Sequence, residues 1–249
     1  YGAVLFSLLA SAVYLINDLS DVEADKLHPT KKYRQIASGN LPVPIAWTAV
    51  IVILGMVFPL SYILSPLFTL FCLGYFVLNI VYSKWLKHVE ILDFLILASF
   101  YVIRVAAGVV IIGVERFSPW LYLATIFIAL FMGLGKRRSE LISSNELGIQ
   151  TRKVLAKYTV PYLDQLIGIV LTATILTYSL YTISAENLPD NNIMMLTIPF
   201  VIFGIFRYLF LVQVENRGEK IEEIIFSDRP FQVNIFIWGI SILSIFYIY

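Results

Sequence analysis

A single cysteine, Cys72, is present in 249 residues, so no disulfide can form within the chain. It lies inside an apolar run and reads as a small packed residue rather than a nucleophile. Histidine is nearly as scarce. His28 and His88 both fall in charged stretches, and no spacing of His, Cys and acidic residues suits zinc. No glycine-rich loop is placed to cradle a nucleotide phosphate, and no Ser or Cys has an evident base. Acyl transfer, redox chemistry and nucleotide hydrolysis are thereby disfavoured. Charged residues make up only 14% of the chain against 59% apolar, which excludes an ordinary soluble surface and leaves a polytopic membrane protein. Ten-residue alternating segments are missing, and backbone groups in hydrocarbon must be satisfied internally, so helices rather than a barrel should cross the membrane. The net charge of +1 carries little information, and nothing points to nucleic acid. Without repeats, low-complexity tracts or a dividing linker, one all-α integral-membrane domain is expected over residues 1–249.

Apolar runs near 1–16, 44–64, 66–83, 91–112, 119–135, 160–183, 193–212 and 231–249 predict eight transmembrane helices. The first run is short for a span and begins at Tyr1, so preceding sequence is expected; no basic stretch marks a cleavable signal peptide. The connections alternate. Segments 17–43, 84–90, 136–159 and 213–230 hold 15 of the 18 Lys and Arg residues, which by the positive-inside rule places them in the cytoplasm. The opposite connections are short: Ser65-Pro66, Gly113 to Ser118, and Ser184 to Asn192. Every candidate chemical group therefore collects on one face of a cell membrane.

The most hydrophilic stretch runs from Asn17-Asp18 through Asp21, Glu23 and Asp25 to His28, Lys31, Lys32 and Arg34. On a helix turning about 100° per residue, Asp18, Asp21 and Asp25 fall within about 60° of arc while Glu23 points away. Converging carboxylates repel unless a cation sits among them. A hard divalent ion such as Mg²⁺ suits that arrangement, completing its shell with water and substrate phosphate, and the downstream bases suit the phosphates. The alternative is a solvated loop whose charges only keep it in water.

Two further clusters lie on the same side. In Tyr82-Ser83-Lys84-Trp85-Leu86-Lys87-His88, the residues Lys84, Lys87 and His88 share a face if the helix continues, as phosphate-binding cations or as ordinary membrane-edge anchors. In Lys136-Arg137-Arg138-Ser139-Glu140, a helix places Lys136, Arg137 and Glu140 together, either to grip phosphate and orient a metal or as a salt-bridged helix end. Leu147, Val154, Leu155 and Tyr158 recur at helical spacing opposite Arg152 and Lys153, which suggests an amphipathic helix on the membrane surface. Arg104, near the middle of its run, should face the bundle interior, whereas Asp93 and Asp164 sit at span ends and read as snorkelling or capping acids.

The pattern Asn17-Asp18-x-x-Asp21-x-x-x-Asp25, its basic tail and the Tyr82 to Lys87 loop resemble the first aspartate-rich motif and its surroundings in the UbiA superfamily of intramembrane prenyltransferases. The resemblance covers the whole chain and implies eight of the superfamily's nine helices, the first being absent. Most members carry a second aspartate-rich motif between helices six and seven, where this chain has Gly135-Lys136-Arg137-Arg138-Ser139-Glu140-Leu141. That replacement, the core Asp-Val-Glu-Ala-Asp-x-x-His-Pro-Thr-Lys, Tyr101-x-Ile-Arg104-x-x-Ala-Gly108, and the segment from Arg152-Lys153 to Tyr162 resemble the branch that moves phosphoribosyl onto a polyprenyl phosphate. Gln35, where that branch usually has Pro, is expected to alter only the local backbone.

The resemblance implies Mg²⁺ on Asp18, Asp21 and Asp25, supported by Asn17. It implies that Lys31, Lys32, Arg34, Tyr82, Lys87, Arg104, Lys136, Arg137 and Glu140 form the substrate-binding set. Three phosphate-bearing groups require more cations than one diphosphate does, which accounts for bases replacing acids at Lys136 and Arg137. The implied partners are phosphoribosyl pyrophosphate, a polyprenyl phosphate lipid and the membrane, with a homo-oligomer compatible. Two rivals stay open: transfer of an isoprenyl chain from its diphosphate to an aromatic or glycerol-phosphate acceptor, and a non-enzymatic transporter built around Arg104.

Overall fold

The computed structural model describes residues 1–27, 31–112, 118–147, 154–185, 188–189, 191–215, 224 and 226–248. Among the described residues the regular structure is helical, and eight segments are long and apolar enough to cross a membrane. The all-α expectation is met. Large apolar side chains such as Ile51, Ile63, Leu70 and Leu243 lie exposed on these helices, as a hydrocarbon surround permits. The residues group into two compact units, 1–86 with 103–115 and 87–102 with 116–249, so one helix is shared between them.

The first unit contains α1 (Gly2–Leu27), α2 (Val43–Leu64), α3 (Pro66–Lys84) and the latter part of α4 (Leu92–Ile112). The 26 residues of α1 span about 39 Å, well beyond a hydrocarbon core of about 30 Å. The helix therefore outruns its apolar stretch, and the acidic motif is carried on a helical extension rather than in a loop. Polarity ends the span without ending the helix, because Asp, Glu and Lys are tolerated where the surroundings are aqueous. Ser65 turns the chain between α2 and α3. Its extended backbone stops α2, its hydroxyl accepts from the Phe68 N–H at 3.3 Å, and Pro66 supplies a first residue that needs no donor.

After a short 3₁₀ turn at Lys31–Tyr33, Ile36 packs into a cluster with Val22 and Ala46, flanked by Leu15, Leu19 and Leu41. Gly39, at φ 82°, makes the left-handed turn that returns the chain to α2. The connection that follows the acidic motif is thus anchored to α1 and α2 by apolar contacts.

In the second unit the first part of α4 joins α5 (Pro119–Leu147), α6 (Val160–Ser184), α7 (Ile198–Gln213) and α8 (Arg229–Ile248). A 3₁₀ turn, Ile193–Thr197, leads into α7. Like α1, the 29-residue α5 is longer than a span needs, and its last turns carry Lys136 to Glu140. Gly133 lets α5 approach α4 closely, since an added Cβ would stand 3.2 Å from the Phe94 carbonyl oxygen. The core holds Phe94, Leu134, Leu141, Leu163, Ile167 and Leu171.

Val154, Leu155 and Tyr158 belong to that core as well, while residues 148–153, the middle of the amphipathic helix expected there, lie outside the described residues. Their spacing reflects burial around a 3₁₀ turn at Leu155–Lys157; Arg152 and Lys153 lie outside the described residues. The shared face expected of Lys84, Lys87 and His88 is not formed. The α-helix stops at Lys84, Trp85 leaves helical geometry, and Leu86–His88 is a 3₁₀ turn with a different angular step.

Candidate functional site

On the extension of α1, Asp18 and Asp25 share one face, as a common partner shows. Arg34 Nη1 donates to Asp18 Oδ1 at 2.8 Å and to Asp25 Oδ2 at 2.9 Å. Two oxygens held by one nitrogen lie close enough that a modest shift would place both on a single cation. Asp25 is the buried member, its side chain 5% exposed against 32% for Asp18 and 39% for Arg34. Asp21, between them on the helix, is half-buried. Glu23 points out and pairs with Lys26 at 2.8 Å. Asn17 Oδ1 accepts from the Ser83 hydroxyl, tying the start of the motif to the end of α3, where Tyr82 is buried.

The donor set suits a hard divalent cation, being carboxylate oxygen without thiol or imidazole. A positive group already stands between two of those carboxylates, in the form of the Arg34 guanidinium. Among the described residues no three His, Cys, Asp or Glu side chains are gathered into a ready-made cage. Lys32 is exposed and lies 5.1 Å from the centre of the Tyr33 ring, while the Lys31 side chain and His28 fall outside the described residues.

Arg104 lies farther along the same unit, on α4. Its Nη2 donates to Tyr75 Oη at 2.9 Å, with the guanidinium carbon 5.5 Å from the centre of that ring. It borders a cavity of about 600 Å³ lined mainly by small and aromatic residues of α1 and α4, including Phe6, Ala10, Tyr14 and Gly108. The cation thus faces protein and cavity, as its position in a span requires.

The basic cluster of α5, in the second unit, is mostly interior. Arg137 Nε donates to Asp93 Oδ2 at 2.6 Å and its Nη1 to Glu140 Oε2 at 2.5 Å. Asp93 also accepts from the Tyr158 hydroxyl at 2.8 Å, and that hydroxyl in turn accepts from the Ile91 N–H at 2.7 Å. Burial chiefly, aided by Asp93, pushes the Tyr158 hydroxyl pKa well above the ordinary tyrosine value, against the opposing effects of the Ile91 N–H and Arg137. Arg138 pairs with Asp164 at 2.6 Å. On the surface nearby, Lys157 bonds Glu90 and holds that carboxyl below its usual range. Lys136 is exposed and Lys87 half-exposed, so both reach solvent.

Asp93, Asp164 and Tyr158 are members of this network that sequence reasoning did not assign. Each sits at a span end or in a connection, far in sequence from its partner. The available signal was the cost of leaving any ion unpaired at a membrane boundary, which demands a partner without naming it.

Known proteins resemble this chain over most of its length. A decaprenyl-phosphate phosphoribosyltransferase of Mycobacterium tuberculosis is 36% identical over 235 residues, covering 94% of this chain and 77% of that protein. The enzyme of the same name from Corynebacterium glutamicum is 34% identical over 252 residues, covering 98% and 74%. A UbiA homolog from Archaeoglobus fulgidus, solved with GPP and Mg²⁺, superposes with a TM-score of 0.71 at 20% identity, covering 98% of this chain and 87% of that one, and so shares the fold. The profile of the UbiA prenyltransferase family matches residues 1–240. With that profile covering nearly its whole length and relatives at 34–36% identity, the chain belongs to the UbiA prenyltransferase family.

Proposed function

We propose that this chain transfers 5-phosphoribosyl from phosphoribosyl pyrophosphate to a polyprenyl phosphate, releasing diphosphate, at the cytoplasmic face of a cell membrane. The observation that carries the reading is the 34–36% identity, over nearly the whole chain, to relatives named decaprenyl-phosphate phosphoribosyltransferase. The sequence Lys136-Arg137-Arg138 on α5, in place of acids, supports it. The cytoplasmic orientation rests on the distribution of Lys and Arg among the connections.

Asp18, Asp21 and Asp25 would hold Mg²⁺, with Asn17 fixing the start of the motif against α3. The ion, when bound, neutralises the diphosphate leaving group. Arg34, Lys31, Lys32, Lys87 and Lys136 supply the cations for phosphate oxygens, and Arg104 lines the apolar cavity available to a hydrocarbon chain. The bond from ribose C1 to the diphosphate oxygen breaks with its electron pair leaving on diphosphate. An oxygen of the lipid phosphate forms the new bond to C1. That acceptor is already ionised near neutral pH, so it needs positioning rather than a general base, in keeping with the scarcity of histidine. Arg137 and Glu140 complete the set on α5. Arg137 is 1% exposed and holds two acids, so gripping a phosphate would require it to leave one of them.

A paired assay tests the proposal. Purified protein receives either labelled phosphoribosyl pyrophosphate with polyprenyl phosphate, or labelled prenyl diphosphate with a quinone precursor. Label is expected in lipid only from the first pair, with Mg²⁺ present, and lost in Asp21→Ala and Asp25→Ala variants that still fold in detergent. Transfer from the second pair alone would replace the reading by prenyl transfer, and full activity in both variants would remove the acids from it.

A further inference from the structure

Arg34 reaches the acidic motif from outside its helix, and the way it is held separates an anchored backbone from a movable head. The backbone at 34–36 is pinned: Ile36 is buried against Val22 and Ala46, the Ser38 N–H bonds the Arg34 carbonyl at 2.8 Å, and the Leu41 N–H bonds that of Gln35 at 2.9 Å. The guanidinium, 39% exposed, ends a long side chain that can swing without disturbing any of this. Its present partners leave a clear electrostatic demand. The Asp25 side chain is 5% exposed, and a carboxylate so withdrawn from water calls for a compensating cation. Arg34 is one such cation; a divalent metal on the same oxygens is another. Both cannot occupy the space between Asp18 and Asp25.

We propose that Arg34 is an exchangeable counter-ion that couples the metal to the diphosphate. Without ligand it bridges Asp18 and Asp25 and keeps their oxygens together. When the metal takes those oxygens, Arg34 gives them up and turns to the diphosphate that accompanies it. This rests on the metal and diphosphate assignment made above and adds a consequence that assignment lacks. Metal alone must displace a cation and gains no partner for it, so it binds weakly. Metal with diphosphate offers the displaced guanidinium a new anion, so the two ligands bind with positive coupling. Coupling of this kind is reciprocal, and typical values are about 5- to 150-fold.

The full-length protein in detergent provides the test, with Mn²⁺ as the spin probe in place of Mg²⁺ and inorganic diphosphate as the anion. Loss of the free-ion EPR signal reports metal binding, and titration of the metal-saturated protein with diphosphate reports the second step. In Arg34→Gln, Mn²⁺ alone should bind about fivefold or more tightly than in the wild type, while diphosphate binding to the loaded protein weakens by about the same factor. Arg34→Lys, which keeps a cation on a flexible stem, should fall between them. The opposite signs are diagnostic. A residue serving only the fold would weaken both steps, and a plain phosphate ligand would weaken only the second. Unchanged or weaker Mn²⁺ binding in Arg34→Gln overturns the counter-ion role while leaving the metal assignment in place. Absence of Mn²⁺ binding in every form, with or without diphosphate, removes both.

Discussion

Arg137 and Asp93 form an ion pair of 2.6 Å whose side chains are 1% and 0% exposed, joining α5 to the first turn of α4. A pair so fully withdrawn from water adds little beyond an apolar substitute, yet removing Asp93 leaves the buried Arg137 with Glu140 alone and the Tyr158 hydroxyl without its acceptor. Asp93→Ala should therefore destabilise by about 3–5 kcal/mol. Replacing both residues, as Asp93→Ala with Arg137→Met, should recover part of that loss, because the acid that then lacks Arg137 is Glu140, whose side chain is 28% exposed. Unfolding in detergent by heat or denaturant measures each. A double variant as unstable as the sum of the singles would show that the two residues do not act as a pair.

Tyr158 extends the same network, donating to Asp93 and accepting from the Ile91 N–H. Tyr158→Phe leaves both groups short of a bond and should cost about 1–3 kcal/mol. The pKa of the hydroxyl is raised, principally by burial, above its ordinary value of 10.0, so the folded state retains the proton that the unfolded chain loses. Its contribution is complete below pH 10.0 and should decline as pH rises beyond it. Wild type and Tyr158→Phe should consequently converge in stability on the alkaline side. Parallel curves through that range would assign the Tyr158 contribution to packing alone.

The spans were legible because a run of about 20 apolar residues has few alternatives to a membrane helix. Where those helices end was less visible. Hydrophobicity stops at Ile16 and Gly135, whereas α1 continues to Leu27 and α5 to Leu147, since leaving the hydrocarbon removes the demand for apolar side chains and not the backbone hydrogen bonds. The convergence of Asp18 and Asp25 followed from helical spacing alone, while the cation between them did not, because Arg34 arrives through a connection whose path depends on Ile36 finding a pocket. Partners of Arg137 and Arg138 were hidden for the same reason. Asp93, Tyr158 and Asp164 stand 44, 65 and 26 residues from the groups they bond, and one sequence holds no record of contacts that distant.

Gly133 offers a test of how tightly α4 and α5 fit. A Cβ there would come 3.2 Å from the Phe94 carbonyl and 3.6 Å from its Cβ, so Gly133→Ala calls for a shift of a few tenths of an ångström. Gly133→Val adds bulk that backbone cannot evade and should cost about 1–3 kcal/mol. Gly168 on α6, where an added Cβ meets nothing, serves as the control, and Gly168→Ala should be neutral or slightly stabilising through helix propensity. Equal losses at the two positions would mean that Gly133 is not a close-packing site.

Ile91 immediately precedes α4 and adopts φ 67°, a conformation unfavourable for any side chain and most of all for one branched at Cβ. The turn persists because its surroundings hold it from several sides. Its N–H donates to Tyr158, the Leu92 N–H bonds the Glu90 carbonyl at 2.7 Å, and the Asp93 N–H bonds that of Val89 at 3.1 Å. These bonds start α4 at the register that puts Asp93 against Arg137. The strain of such a residue is of order 1–3 kcal/mol. Ile91 is 46% exposed, so shortening its side chain forfeits little burial. Ile91→Gly should therefore relieve the strain at an entropic cost of about 0.5–1 kcal/mol and leave the protein more stable by about 1 kcal/mol. Ile91→Pro makes the opposite case, because proline removes the N–H that Tyr158 receives and fixes φ near −65°. It should destabilise by more than the Tyr158→Phe variant does. Thermal unfolding in detergent distinguishes the outcomes by sign: a loss of stability in Ile91→Gly would mean that the side chain, and not the backbone bend, is what this turn requires.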